Sequence, residues 1–198
     1  MYWYEDEVKR LEKDSPKPGY EPETIFYGSS SIRLWASLNN DFAALKPVNL
    51  GFGGSTLAAC VWFFDRIMLP YHPKRLIVYA GDNDLGDGRH PEEIFIFFQQ
   101  LAVVAQKRFG NIPCYFVSLK PSISRFSMIG QFKFTNNLIE AEIIKYNNNW
   151  KFIDIFKVML DAAGRPQRKY FLDDGLHLSE AGYKLWKQII NNAINVNG

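Results

Sequence analysis

The sequence predicts an α/β fold, a parallel sheet with helices on both faces, and three observations carry that expectation. Five short β runs alternate along the chain with runs of helical periodicity. One β run, Arg75, Leu76, Ile77, Val78, Tyr79 and Ala80, is apolar with no alternation beyond its first residue, as a strand covered on both faces must be. Glycine-rich or polar breaks follow the first three runs, so a parallel arrangement gathers them at one edge, where such sheets collect ligands. Right-handed crossovers then leave few topologies to consider.

The elements follow in order. Residues 5–13 set charged side chains around Val8 and Leu11 at helical spacing, and Ser15, Pro16, Lys17, Pro18 and Gly19 end that helix because proline cannot extend its hydrogen bonding. Residues 24–27 form the first strand. Ile32, Leu34, Trp35, Leu38 and Phe42 then mark helical turns packed on the sheet. The second strand, residues 47–50, runs into Gly51, Phe52, Gly53 and Gly54, with Ser55 or Thr56 as cap for a helix over Leu57–Met68. A turn at residues 71–74 leads to the third strand, which Gly81, Asp82, Asn83 and Asp84 break. Pro91, with Glu92 and Glu93 suited to a helix N-terminus, opens a helix to Phe109. Residues 112–119 are the fourth strand. A loop with Pro121, Ser122, Ser124 and Arg125 precedes a helix over residues 128–146, closed by Asn147, Asn148 and Asn149. Residues 150–155 are the fifth strand, and an amphipathic helix over residues 178–196, capped near Ser179, ends the chain.

With 198 residues, 47% of them hydrophobic, the chain suffices for one well-buried core, so we expect a single domain over residues 1–198 with residues 1–20 as a helical extension. Its 23 basic and 21 acidic side chains are scattered, which argues against a nucleic-acid partner. The longest nearly unbroken apolar run, residues 57–64, falls far short of the roughly 20 residues of a membrane span. The first seven residues carry aromatics and acids where a secretory signal needs a basic start and an apolar stretch, which points to the cytoplasm. Cys60 and Cys114 have no metal-type spacing and read as buried reduced thiols.

Residues 24–35 hold the chemistry. An apolar run ends in Gly28 and opens into Ser29, Ser30 and Ser31 at the start of a helix, which suits either a nucleophilic serine or an anion held by backbone amides. The C-terminal loop adds Asp173, Asp174, Gly175, Leu176 and His177. Acyl transfer by serine needs a base, a carboxylate that orients the base, and donors for the oxyanion; all these residue types are present.

The four breaks together resemble the SGNH (GDSL-like) hydrolases, a family of esterases and acylhydrolases on a flavodoxin-like three-layer α/β/α fold with a five-stranded parallel sheet. Phe26 to Ile32 is similar to the family's Gly-Asp-Ser block, which implies Ser30 as nucleophile. Asn49 to Gly54 resembles its glycine block, with Gly54 as backbone oxyanion donor, and Gly81-Asp82-Asn83 its Gly-x-Asn block, with Asn83 as side-chain donor. Asp174-Gly175-Leu176-His177 resembles its Asp-x-x-His block and implies Asp174 and His177 as the remaining catalytic pair, with the Ser30 N–H completing the oxyanion hole. Ser29 stands where the family has aspartate, which leaves the register of the three serines open. Asp173 competes with Asp174 for the orienting role. Among three histidines, His72 precedes the third strand at the opposite edge, whereas His90 shares the edge with His177 and competes with it.

The resemblance implies a small-molecule ester as substrate and no cofactor. Asp82, Asp84, Asp87 and Glu93 do not have calcium-loop spacing, so no metal is expected. Phe126 and Met128, with Phe132 and Phe134, are candidates to line an acyl pocket, against the commoner reading as core. Two rivals stand beside the esterase: a phosphate- or nucleotide-binding flavodoxin-like module, and a non-catalytic relative used for protein association.

Overall fold

A computed structural model describes residues 1–14, 19–146 and 149–195. The turn expected at residues 15–18, the helix stop at Asn147 and Asn148 and the last helical residue at Val196 lie outside the described residues. Five parallel strands, β1 (Thr24–Gly28), β2 (Pro47–Gly51), β3 (Arg75–Tyr79), β4 (Cys114–Val117) and β5 (Trp150–Ile153), form one sheet in the order β2-β1-β3-β4-β5. That is the flavodoxin-like order, with the crevice where it reverses between β1 and β3.

Successive side chains on each strand enter opposite layers. Ile25, Tyr27, Leu76, Val78, Cys114 and Phe116 pack against α1 (Glu5–Asp14), α4 (Leu57–Met68), α6 (Pro91–Phe109) and α7 (Ile129–Tyr146). Phe26, Ile77, Tyr79, Tyr115, Val117 and Ile153 pack on the other side with Trp35, Phe42 and, from α8 (Glu180–Asn195), Trp186 and Ile190. Both faces are therefore covered, and every residue of β1 is buried. This is the three-layer α/β/α arrangement that the alternation of β and helical runs predicts. Both cysteines are free and buried in the first layer, and burial pushes the Cys114 thiol up to about 12.

The helical turns after β1 are two short pieces, α2 (Ser30–Arg33) and α3 (Leu38–Asp41). Between them Trp35 turns inward onto Phe26 and Phe42, and its indole N–H donates to Asp41, which also accepts from Ser37 Oγ. Strand β4 is shorter than the expected residues 112–119, and just beyond it the Ser118 hydroxyl accepts from the N–H groups of Ile155 and Phe156. The polar break after β3 is a single helical turn, α5 (Asp82–Gly86), not a loop. The expected caps hold: Thr56 accepts from Ala59 N–H at 3.0 Å, and Ser179 from Gly182 N–H at 3.2 Å.

Two glycines bring the edge together. Gly28, at φ +136, ends β1 where an added Cβ would lie 1.9 Å from the Tyr79 carbonyl oxygen of β3. Gly51, its neighbour in register on β2, leaves room for α2, since a Cβ there would meet the Arg33 nitrogen at 2.3 Å. The serine-bearing turn thus sits directly on the carboxyl ends of β1 and β2. No helix among the described residues is long and apolar enough to cross a membrane.

Candidate active site

Ser29, Ser30 and Ser31 leave β1 together but end in different surroundings. Ser29 and Ser31 are buried, and neither hydroxyl has a hydrogen-bond partner. Ser30, the first residue of α2, is half-buried, and its Oγ lies 3.2 Å from His177 Nε2. The three hydroxyls are thereby told apart by position.

His177 is carried by a loop that folds on itself before α8. Asp174 Oδ1 accepts from the backbone N–H groups of Leu176 (2.8 Å) and His177 (2.9 Å), which curls the loop, and Oδ2 meets His177 Nδ1 at 2.6 Å. With Nδ1–H donating to Asp174, Nε2 faces Ser30 as an acceptor. Partial burial pulls the Asp174 pKa upward, but the His177 contact and the two backbone N–H bonds outweigh it and lower the carboxyl to about 2. Asp173 points elsewhere, onto Arg168 at 2.8 Å. His72 and His90 are exposed, and the His90 backbone N–H is tied to Glu93 at the start of α6.

The donors of the proposed oxyanion site come from three strand ends. Ser30 N–H opens a helix and so has no intrahelical acceptor. Gly54 is exposed in the turn after β2. Asn83 is half-buried in α5, where its Nδ2 donates to Ser55 O at 3.1 Å and its Oδ1 accepts from Arg125 at 3.0 Å. A guanidinium only donates, so Arg125 fixes which end of the Asn83 amide bears the hydrogens. One Nδ2 hydrogen bonds Ser55, and the second is left for another acceptor.

Beneath this edge lies an ion pair whose lysine the sequence patterns did not single out. Lys120, 38 residues beyond Asp82 and buried, places Nζ 2.8 Å from Asp82 Oδ2 and 3.1 Å from the Tyr79 hydroxyl, which itself donates to Asp82 at 3.1 Å. Burial raises the Asp82 pKa, but Lys120 and Arg125 overcome it and leave it below the ordinary value. Arg125 also donates to the Asp82 carbonyl at 2.7 Å. The pair anchors the turn before Asn83 to the loop after β4. Asp84, buried, accepts from Leu57 N–H at 2.6 Å and Ala58 N–H at 3.4 Å, and burial lifts its carboxyl to about 6. The signal for these residues was present only as unexplained polarity, a lysine ending an apolar run and two aspartates flanking Asn83.

Three of the four carboxylates that lack calcium-loop spacing are committed to other work: Asp82 to Lys120, Asp84 to α4, Glu93 to His90. Among the described residues no cluster of three or more His, Cys, Asp or Glu side chains has metal-binding geometry. Phe126 is exposed in the turn Phe126–Met128, directly after Arg125, and Met128 is half-buried against the first-layer core. Phe132 is core, and Phe134 is exposed.

A family model described as the GDSL-like Lipase/Acylhydrolase family matches residues 19–185. Among solved structures, a protein from Streptococcus pneumonia, provisionally named a platelet activating factor, superposes with a TM-score of 0.84 at 18% identity, covering 96% of this chain and 91% of that one. A GDSL-like lipase from Bacteroides thetaiotaomicron gives 0.76 at 18% identity, with 98% of each chain covered. An acetyl xylan esterase gives 0.69 at 18% identity, covering 86% of this chain and 98% of its own. At these identities the superpositions speak for the fold. No match among curated proteins accompanies them.

Proposed function

The chain belongs to the GDSL-like lipase/acylhydrolase family, and from that premise we propose that it hydrolyses carboxylic esters, with Ser30 as nucleophile, His177 as general base and acid, and Asp174 as the group that orients the imidazole. The observation that carries this reading is the continuous line from Ser30 Oγ to His177 Nε2 (3.2 Å) and from His177 Nδ1 to Asp174 Oδ2 (2.6 Å), joining residues 147 positions apart. Ser30 Oγ attacks the ester carbonyl carbon as its proton passes to His177 Nε2. The tetrahedral oxyanion is held by the N–H groups of Ser30 and Gly54 and by Asn83 Nδ2. His177 returns the proton to the departing alkoxide, and the alcohol leaves an acyl-serine. Water, deprotonated by the same imidazole, attacks the acyl carbon, and the acid is released as the proton goes back to Ser30. The chemistry needs no cofactor. Phe126 and Met128 follow Arg125, whose guanidinium bonds Asn83, and that adjacency supports a place for them beside the substrate.

A phosphate cradle at the same turn is a weaker reading. The helix it would use spans only Ser30–Arg33, and two of its three serine hydroxyls are buried. Reaction with a fluorophosphonate probe tests the esterase reading. The expected result is a single adduct on the peptide containing Ser30, formed in step with loss of hydrolysis of a short p-nitrophenyl ester. A folded sample that takes no label and hydrolyses no ester overturns it.

Asn83→Ala separates the oxyanion contribution from the triad. Removing one preorganised donor lowers kcat by about a hundred- to a thousandfold. Steady-state kinetics on the same ester should place the loss in kcat, with KM little changed, because the bond strengthens only as the charge develops.

A further inference from the structure

The leading segment lies N-terminal to the residues that the family model matches, which begin at 19, yet it grips the glycine turn at three points. The Tyr4 hydroxyl donates to the Gly54 carbonyl at 3.1 Å. Glu7 Oε2 accepts from Gly53 N–H at 3.1 Å, and Arg10 donates to the Gly51 carbonyl at 3.2 Å. Gly53 and Gly54 have no side chains of their own to fix them, so their peptide planes are the softest part of the proposed oxyanion site. Glu7 pins the plane before Gly53, and Tyr4 pins the plane after Gly54. The plane between them, which bears Gly54 N–H, is carried on an axis whose two ends are both held.

Glu7 also reaches the nucleophile's own helix. Its carboxylate takes Arg33 Nε at 2.7 Å and a second Arg33 nitrogen at 3.0 Å, and Arg33 closes the single turn that Ser30 opens. One carboxylate therefore spans the two elements that present the backbone donors Ser30 N–H and Gly54 N–H. Partial burial raises the Glu7 pKa, but Gly53 N–H, Arg10 and Arg33 together outweigh it and keep it below the ordinary value, so the clamp is anionic near neutral pH.

The segment also has anchors away from the glycine turn. Val8 and Leu11 are buried in the first-layer core, and Arg66 of α4 bridges Glu5 at 2.9 Å and Glu12 at 3.0 Å, on contacts that do not touch the glycine turn. The Tyr4 ring packs edge-on against Phe52 and Phe63, and what it directs at the glycine turn is its hydroxyl, as Glu7 directs its carboxylate.

We propose that Tyr4 and Glu7 are positioning residues of the oxyanion hole, through which the N-terminal segment sets Gly54 N–H against Ser30. This rests on the esterase reading of Ser30. The test compares Tyr4→Phe and Glu7→Gln with Arg66→Gln, which weakens α1 docking without touching the turn. The readouts are kcat and KM on a short p-nitrophenyl ester, the rate of fluorophosphonate labelling, and the thermal midpoint. Tyr4→Phe and Glu7→Gln should each lower kcat and the labelling rate on the order of tenfold, less than loss of a donor outright, with KM nearly unchanged. Arg66→Gln should lower the thermal midpoint and leave kcat intact. The proposal is overturned if the two variants react at the wild-type rate, or if Arg66→Gln loses kcat in the same proportion to its lost stability. Failure of the wild type itself to label and hydrolyse overturns the esterase reading, and this inference with it; a reactive wild type matched by its variants removes this inference alone.

Discussion

Ser30→Ala is expected to yield a folded protein whose kcat/KM for a short p-nitrophenyl ester is lowered by about 10⁴- to 10⁶-fold, the scale seen when a serine nucleophile is removed from a triad. The hydroxyl is half-buried and contacts His177 Nε2, so its loss opens no cavity in the core and leaves the imidazole able to bond water. Thermal midpoints of the two proteins should therefore agree. Ser29→Ala and Ser31→Ala provide the contrast. Each removes a buried hydroxyl that has no hydrogen-bond partner, so no bond is lost and nothing is left unsatisfied. Both should keep activity. Loss of turnover in Ser29→Ala, with Ser30→Ala active, would move the nucleophile by one position.

Gly28→Ala has the largest expected effect on stability. A methyl group at this position meets the Tyr79 carbonyl oxygen at 1.9 Å and its carbon at 2.7 Å, and both belong to the backbone of the adjacent central strand. The residue also sits at φ +136, a conformation that L side chains rarely adopt. Relief requires β1 and β3 to separate at their carboxyl ends, where Ser29 N–H bonds the same Tyr79 carbonyl at 2.9 Å. The expected cost is on the order of 4 kcal/mol or more, a large share of the stability of a typical domain. Gly164→Ala is the control. That glycine is at φ +74 with nothing within 4 Å of an added Cβ, so only the backbone preference of roughly 1–2 kcal/mol is lost. Urea unfolding of the two variants measures the difference, and equal midpoints would show that the contact with Tyr79 is readily relieved.

The sheet was legible because its signal is local. A run such as residues 76–80 stays apolar only if both faces are covered, and the glycines at 28, 51 and 81 mark strand ends whatever lies beyond them. The short helix α5 was not legible. Gly81, Asp82 and Asn83 carry turn-forming preferences, and what holds Asp82 and Asn83 in a helical turn is distant: Lys120 on the Asp82 carboxylate and Arg125 on the Asp82 carbonyl and the Asn83 side chain. The split between α2 and α3 likewise follows from Trp35 turning into a core built partly by α8, more than 140 residues later.

The sequence by itself determined a parallel α/β sheet and the set of residues gathered at its carboxyl edge, since strand periodicity and strand-end glycines act over a few positions. Local preference did not choose among three adjacent serines or two adjacent aspartates; the family resemblance implied Ser30 and Asp174, and only the tertiary structure sets Ser30 Oγ against His177 Nε2 and Asp174 Oδ2 against Nδ1. Neighbours one residue apart differ in local propensity hardly at all, yet their side chains leave the backbone in different directions. The same holds for the N-terminal helix. Its periodicity shows an amphipathic surface element, and only its docking against the glycine turn places Tyr4 and Glu7 at the proposed oxyanion site.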